Sequence, residues 1–364
     1  MQLPSSDNLE IEVQYLNHLF GKTSECYKFF WFQAILTKVL EGKDVITYEE
    51  LVDEMIADAW YMVTEYHLNM GPKDTLDRLV HHIRGISSIK PSEKKEKVLD
   101  YLKHCEDKEV AQKKRTLTYH VPYRLQAPFM EEMKGGAWNV SEGNLIARIN
   151  QQKRLMYYFS ELNGMQTEIH IQPEWINYFL KNQEILKGWL KYNMIMYLQK
   201  RNPSVPGISD KLKAPEVRKL DKVQRYWKLL LEFGPVREIY GNEIITEKDI
   251  SIDHFVPWSY VAHDEFWNLH PTKRGINSSK SNNLPDWDMY FSKLCRLEYY
   301  SYEMMNSFEN VMEAFEICAG EHLNNNELRG RIYRKDLSLQ EFSNALEEVV
   351  QPVYQSAKNC GFQN

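Results

Sequence analysis

The sequence predicts a mainly α-helical protein that carries one small α+β element, and three observations support this fold class. Apolar residues recur with helical spacing in the first 118 residues and again after Pro285. Runs that alternate like strands are short and few. One segment, 239–285, has the order strand, loop, strand, helix. The chain has 364 residues, 43% of them hydrophobic, which is enough for a sizeable core and suggests two or three domains.

Four helices are predicted in the N-terminal region. Residues 26–42 are apolar nearly all round, which is typical of a helix buried on several sides. Residues 46–63 carry carboxylates in their early turns, which favour a helix N-terminus. Asp74 is the expected N-cap of a third helix, and the highly charged stretch 92–115 predicts a fourth that is mostly solvated. We interpret 1–118 as a helical recognition or partner-binding domain, because nothing in it is typical of a catalytic site.

A mixed connecting region is predicted for 119–215. Two prolines and a Gly-Gly pair indicate an ordered linker over 119–138. A long helix is predicted from about Pro173 to Lys200. Three prolines mark 201–215 as the clearest linker in the chain. Three runs between these features alternate enough to predict strands: 145–151, 155–160 and 167–173.

The C-terminal part begins with a predicted helix at 216–233, which leads into the 239–285 segment. We assign 216–290 to a compact core and 291–364 to C-terminal helices. These helices either wrap the core or form a surface for a partner, and apolar periodicity alone does not separate the two.

Composition excludes several classes of protein. A formal net charge of −6 argues against general coating of nucleic acid. No window of 18 apolar residues predicts a transmembrane helix, and no basic stretch followed by an apolar run predicts a secretory signal. The five cysteines are scattered without a CxxC pair, which favours reduced thiols in a cytoplasmic protein.

The charge is unevenly distributed along the chain. Between Lys187 and Leu230, 11 Lys and Arg residues stand against three acidic residues, a local charge of +8. A solvated face is the usual explanation for such a run. Its position just before the 239–285 segment favours contact with nucleic-acid phosphates instead. The candidate DNA-contacting residues are Lys219, Lys222 and Arg225 here, and Lys273, Arg274 and Lys280 within the segment.

The 239–285 segment carries the side chains that suggest catalysis. Its first strand, ISIDH, ends in Asp253 and His254. A second short strand, WNLHPT, contains Asn268. Gly275 then permits a tight turn before one or two helical turns.

These polar residue types suit the hydrolysis of a phosphodiester. Asp253 and the side-chain oxygen of Asn277 are hard ligands of the kind that Mg²⁺ prefers. His254 can take a proton from an attacking water, because an unperturbed imidazole titrates near pH ~6.5. Asn268 can hold the loop behind His254 through main-chain hydrogen bonds, and Lys280 can hold a neighbouring phosphate.

Three stretches resemble the HNH (ββα-metal) nucleases: 253–257, the pair Asn268-Leu269, and 276–285, which reads INSSKSNNLP. The pattern is most similar to the HNH domain of the RNA-guided CRISPR nucleases. By this resemblance Asp253 and Asn277 are metal ligands, His254 is the general base and Asn268 is the structural asparagine of the loop.

The resemblance implies an endonuclease that hydrolyses DNA with one Mg²⁺ or Mn²⁺, its ββα core wrapped by C-terminal helices. Many HNH proteins carry flanking cysteine pairs that bind zinc; this segment has none, so no structural zinc is expected. The chain is also vaguely similar to bacterial HNH-domain proteins with a helical N-terminal half. That similarity suggests restriction or anti-phage defence, and an activating protein or nucleic acid bound by the N-terminal half.

Two alternatives stay open at this point. The chain could be a non-catalytic module that binds nucleic acid or protein through a degenerate HNH element. His263, Asp264 and His270 also lie within the motif. Either histidine could join the metal site or contact DNA, but a structural or surface role is favoured because the four matched residues already complete a one-metal site.

Overall fold

The computed structural model describes residues 2–6, 11–21, 23–130, 133, 135–215 and 218–363. It confirms the predicted fold class, mainly α with a small α+β element. The chain divides into two compact units, Met1–Pro203 with Leu212–Ala214 and Ser204–Lys211 with Pro215–Asn364. The crossings between the units fall in the proline-rich segment 201–215. Over the described ranges, no helix is long and apolar enough to cross a bilayer.

The first unit is built from helices around a small sheet. Its helices are α1 Val13–Leu16, α2 Tyr27–Leu40, α3 Tyr48–Thr64, α4 Thr75–Ile86, α5 Lys95–Lys103, α6 Lys108–Thr116, α7 Val121–Arg124, α8 Glu142–Asn150, α9 Pro173–Lys181 and α10 Gln183–Arg201. Its strands are β1 Val45–Thr47, β2 Tyr157–Phe159 and β3 Glu168–Ile171, which form an antiparallel sheet in the order β1-β3-β2. Short 3-10 turns lie at Ala127–Phe129, Gly135–Trp138 and Gly164–Gln166.

Local sequence explains how α2, α3 and α4 form. Four consecutive aromatic residues of α2, 29–32, are all buried, as expected of a helix covered on several sides. Thr47 and Glu50 form a capping box at the start of α3, each side chain accepting the other's backbone N–H. Asp74 caps α4 as predicted, with Oδ1 accepting from the backbone N–H of Asp77 at 2.9 Å.

Three predictions for the first unit are wrong. Residues 145–151 lie in and just after α8, where the apolar positions follow helical rather than strand spacing; short apolar runs are ambiguous between the two. The long helix expected from Pro173 breaks at Asn182, which has non-helical backbone angles. The helix expected over 92–115 is two helices, because Asp107 starts α6 by capping it through the N–H of Val110.

The sheet of the first unit agrees with the sequence only in part. Strands β2 and β3 confirm the runs 155–160 and 167–173. Strand β1 was not foreseen, since 46–63 was expected to be helical throughout. The linker 119–138 contains α7 and two 3-10 turns, and its residues 131, 132 and 134 lie outside the described part of the chain.

The second unit surrounds a two-stranded hairpin. Its strands are β4 Ile250–His254 and β5 Leu269–Lys273, paired antiparallel with Ile250 opposite Lys273. Its helices are α11 Asp221–Leu231, α12 Trp258–Val261, α13 Arg274–Lys280, α14 Trp287–Ser307, α15 Glu309–His322, α16 Asn326–Ile332 and α17 Leu339–Asn359. A 3-10 turn spans Phe266–Asn268. The helix expected at 216–233 is α11, and residues 216 and 217 are not described.

Helices that follow the hairpin pack against it, which agrees with one of the two roles left open for them; the role as a surface for a partner stays a prediction. Phe255, directly after β4, contacts Trp287 and Phe291 of α14 and Tyr354 of α17, with ring centroids 6.1 to 6.3 Å apart. Phe266 packs on α11 and α15 in the same way. Burial of large aromatic surface on both sides holds the hairpin in place.

Two details of the predicted segment are corrected. Gly275 does not form a tight turn: it is the second residue of α13 and is not among the residues with positive φ. The second strand begins at Leu269 rather than at Trp267, because Trp267 and Asn268 belong to the 3-10 turn.

Candidate active site

The end of β4 brings the candidate catalytic residues together. Asp253 faces His270 across the hairpin, and His254 faces Leu269. Since successive strand residues point to opposite faces, Asp253 and His254 have separate surroundings. Both are buried, with 5% and 2% of their surface exposed.

Asp253 is held by three side chains. The Tyr240 hydroxyl donates to Oδ2 at 2.8 Å, Lys280 Nζ lies 3.3 Å from the carboxylate oxygens, and His270 Nε2 lies 3.7 Å from Oδ2. Burial opposes the charged form, but the Lys280 ammonium and the other two neighbours outweigh it and lower the pKa of Asp253. The carboxylate is therefore ionised at neutral pH.

Lys280, at the end of α13, completes this ion pair. Its ammonium also donates to the main-chain oxygen of His254 at 2.7 Å. Burial lowers the pKa of Lys280, and the Asp253 carboxylate acts in the opposite direction. Lys280, which was predicted to bind a phosphate, is thus paired with Asp253, which was predicted to bind the metal ion.

Asn277 lies one turn earlier on α13, against β4. Its Nδ2 donates to Ser251 Oγ at 2.8 Å and to the Ile252 carbonyl at 3.0 Å. Because the amide nitrogen is directed to the strand, Oδ1 is the atom left for another ligand.

His254 is contacted through both ring nitrogens. Nε2 lies 2.7 Å from Asp264 Oδ1, and Nδ1 lies 3.1 Å from Arg218 Nη1. Burial lowers the pKa of His254; Asp264 raises it and Arg218 lowers it further, so the net shift is downward. The imidazole is consequently neutral at neutral pH.

Asn268 fixes the loop that follows His254. It is fully buried, and its side chain makes a pair of bonds with Val256: Oδ1 accepts from the backbone N–H at 2.8 Å, and Nδ2 donates to the carbonyl at 2.9 Å. Its own carbonyl accepts from the backbone N–H of Phe255 at 2.9 Å. The turn that follows His254 is therefore tied to the start of β5.

The candidate DNA contacts are partly paired within the protein. Lys222 is bonded to Glu321, Arg225 to Asp221 at 2.7 Å, and Lys273 to Glu243 at 2.5 Å. Lys219 and Arg274 are exposed. The side chain of Lys280, as described above, is enclosed against Asp253. Four of the six predicted residues are therefore paired with carboxylates of the protein itself.

Three contacts were missed by sequence reasoning: Tyr240, Arg218 and Asp264. Tyr240 and Arg218 lie 13 and 36 residues from their partners. No local periodicity relates positions so far apart. Asp264 lies inside the motif, but only the fold shows that its side chain reaches His254.

Among the residues that the structure describes, no group of three or more His, Cys, Asp and Glu side chains is arranged to hold a metal ion. The donor chemistry nevertheless fits one hard cation. Such an ion keeps several waters and needs only one or two protein oxygens, here those of Asp253 and Asn277. A further observation agrees: His270 is fully buried beside Asp253, and neither of its ring nitrogens has a hydrogen-bond partner within the described part of the chain.

Comparison with known proteins gives one finding. Residues 237–286 match the family model described as HNH endonuclease. The matched range contains β4, β5 and α13 with Asp253, His254, Asn268 and Asn277. The match is to the family in general, and the closer similarity to the RNA-guided enzymes stays a prediction. No curated protein and no solved structure gives a significant match to the chain.

Proposed function

We propose, from the HNH endonuclease domain at residues 237–286, that this protein hydrolyses DNA phosphodiester bonds with one divalent cation, Mg²⁺ or Mn²⁺, and with His254 as general base. The observation that carries the proposal is the end of β4. There a buried ionised carboxylate and a buried neutral imidazole are neighbours in the chain, each held by its own set of partners.

The chemical step assigned to His254 is proton transfer. Nδ1 takes a proton from water as the water oxygen attacks phosphorus in line. The new P–O bond forms while the bond to the 3′ oxygen breaks. The departing 3′ oxygen takes a proton from solvent, which leaves a 5′-phosphate and a 3′-hydroxyl. Because Arg218 now donates to Nδ1, its guanidinium has to move aside for the water.

Asp253 and Asn277 would hold the cation through their side-chain oxygens. When bound, a divalent cation neutralises charge on a non-bridging phosphate oxygen and on the departing 3′ oxygen. When no cation is bound, Lys280 balances the negative charge of Asp253. Once Asp253 has a second positive partner, Lys280 is free to take a substrate phosphate instead.

A second candidate function is a binding module with a degenerate HNH element. One observation favours it: both nitrogens of His254 and both oxygens of Asp253 are already engaged, so the site is closed as it stands.

For the enzyme, we propose that an activating protein or nucleic acid bound by the N-terminal helical unit opens the site. We further propose a cytoplasmic role in restriction or anti-phage defence, on family resemblance alone.

The test is cleavage of supercoiled plasmid by the intact protein with Mg²⁺ or Mn²⁺. We expect nicked circles that EDTA abolishes, and none from Asp253→Asn. Asp288→Asn is the matched control: it changes an exposed aspartate in the first turn of α14, and it should cut like the wild type. No metal-dependent cleavage of plasmid, single-stranded DNA or RNA would leave the binding module as the better explanation.

A further inference from the structure

We propose that Asp264 is a positioning residue for the base: its carboxylate fixes the His254 tautomer that keeps the lone pair on Nδ1. This inference rests on the proposed function and deepens it. None of the other three residues assigned by family resemblance contacts the imidazole Nε2 atom in the structure; Asp264 does, at 2.7 Å.

The two contacts of the imidazole require the same tautomer. A guanidinium has only donors, so Arg218 at Nδ1 needs a lone pair there. An ionised carboxylate only accepts, so Asp264 at Nε2 needs the ring proton there. Each contact alone selects the neutral Nε2–H form, and together they hold the ring from both edges.

The carboxylate also suits the product of proton transfer. When Nδ1 takes the proton of the attacking water, His254 becomes an imidazolium that still donates from Nε2. The Asp264 carboxylate then faces a full positive charge and stabilises it without taking the proton itself. The lowered pKa of Asp264 agrees: burial would raise it, but the hydrogen bond and charge of His254 and the charge of Arg218 prevail.

The loop that carries Asp264 is anchored on both sides. His322, the last residue of α15, holds the Asp264 carbonyl through Nδ1 at 2.8 Å. Asn324 donates to Glu265 Oε1 at 3.0 Å. Ala262, which ends α12, adopts a left-handed backbone (φ 57°) that a non-glycine residue rarely takes. These contacts give Asp264 the fixed position that orienting a base requires.

The first experiment is ¹⁵N NMR of the intact, histidine-labelled protein without substrate, with His254 assigned by the disappearance of its signals in His254→Ala. We expect a pyrrole-type Nε2 and a pyridine-type Nδ1 in the wild type. In Arg218→Ala, where no guanidinium holds the tautomer, adding Asp264→Ala should shift both signals toward the averaged values of a mixed tautomer. An unchanged pair of signals overturns the proposal whether or not the protein cleaves DNA.

The second experiment is cleavage kinetics. We expect Asp264→Asn to lower kcat about 10²- to 10⁴-fold, by analogy with removal of the carboxylate beside a catalytic histidine, with KM within about twofold. His263→Ala, at an exposed position beside Asp264, is the control for loop structure and should retain wild-type kcat. An equal decrease of kcat in both variants, or an effect confined to KM, would make Asp264 merely structural. An inactive wild type would count against the proposed function, while the tautomer measurement would still decide the role of Asp264.

Discussion

On the proposed mechanism, Arg218 is the residue that competes most directly with substrate for His254. Its Nη1 atom lies 3.1 Å from Nδ1, and its guanidinium also stacks over the Trp258 ring, 5.5 Å from the centroid. Arg218 therefore affects the base in two ways: it occupies the lone pair, and its charge disfavours the imidazolium.

The pH dependence of cleavage follows from these neighbours. The charges of Asp264, Arg218 and Asp253 influence His254, and burial dominates in lowering its pKa below 6.5. The base is active when unprotonated, so a lowered pKa keeps it active to lower pH. We expect single-turnover rates to be level near neutral pH and to fall only below pH 6.5. Arg218→Gln removes a nearby cation, which should raise the pKa of His254 and move the fall in rate (the acidic limb of the pH profile) to higher pH.

A control for that profile is His263→Ala, which removes an exposed histidine of the same segment and should leave the limb in place. A limb above pH 6.5 in the wild type, or one that moves down in Arg218→Gln, would contradict the electrostatic description of the base.

Asn268 offers a test of stability. Asn268→Ala removes both side-chain bonds to Val256 in a fully buried position. At roughly 1 kcal/mol for each hydrogen bond, plus the cost of unpaired main-chain groups, we expect the free energy of unfolding to fall by about 2–4 kcal/mol. Urea unfolding measures it. Asn306→Ala, at an exposed position of α14, should cost less than about 0.5 kcal/mol; equal effects would show that the loop does not depend on Asn268.

At the scale of elements, the contact of α13 with β4 places a positive charge beside a candidate metal ligand. Lys280 of α13 neutralises Asp253 of β4 where both side chains are almost fully enclosed. Removing one partner of a buried ion pair leaves an uncompensated charge and typically costs about 3–5 kcal/mol. A divalent cation at the same carboxylate would supply the missing charge.

We therefore expect Lys280→Met to lower the thermal unfolding midpoint, and Mg²⁺ to restore more of it than Mg²⁺ adds to the wild type. The measurement is a thermal melt with and without Mg²⁺, and it does not depend on activity. Lys293→Met, on the exposed face of α14, is the matched control. Equal Mg²⁺ effects in Lys280→Met and in the control would argue against a cation at Asp253.

The elements were predictable where their signals are local. The β-branched run ISIDH predicted β4. The residues from Asp253 to Lys280 were expected in one strand, loop, strand, helix element. The 145–151 run failed, because a few apolar residues fit either period. The partners of the site could not be predicted for a different reason: Tyr240 and Arg218 reach it through tertiary packing that no local pattern encodes.

Across the whole molecule, the net charge is an average over dissimilar parts. The chain carries 45 basic and 51 acidic residues. The basic run that begins at Lys187 is divided between the two units, and Lys222 and Arg225 already have acidic partners. Exposed cations that are not already held by a carboxylate, rather than the summed charge of a segment, are the ones available to phosphates.

We accordingly expect Lys219→Glu and Arg274→Glu to weaken DNA binding more than Arg225→Glu does. Removing one phosphate contact should reduce the slope of log affinity against log salt by about one. Fluorescence anisotropy at several salt concentrations measures this. If all three charge reversals leave the affinity and the salt slope unchanged, neither Lys219 nor Arg274 contacts DNA.

The function proposed for the site depends above all on His254 activating water for metal-dependent hydrolysis. The decisive experiment is single-turnover nicking of supercoiled plasmid with Mg²⁺ by the wild type, His254→Ala and His263→Ala. We predict that His254→Ala lowers the rate by about 10²- to 10⁴-fold, the usual contribution of a general base, while His263→Ala cuts like the wild type. Nicking that survives in His254→Ala at the wild-type rate, still abolished by EDTA, would contradict the assignment of the base.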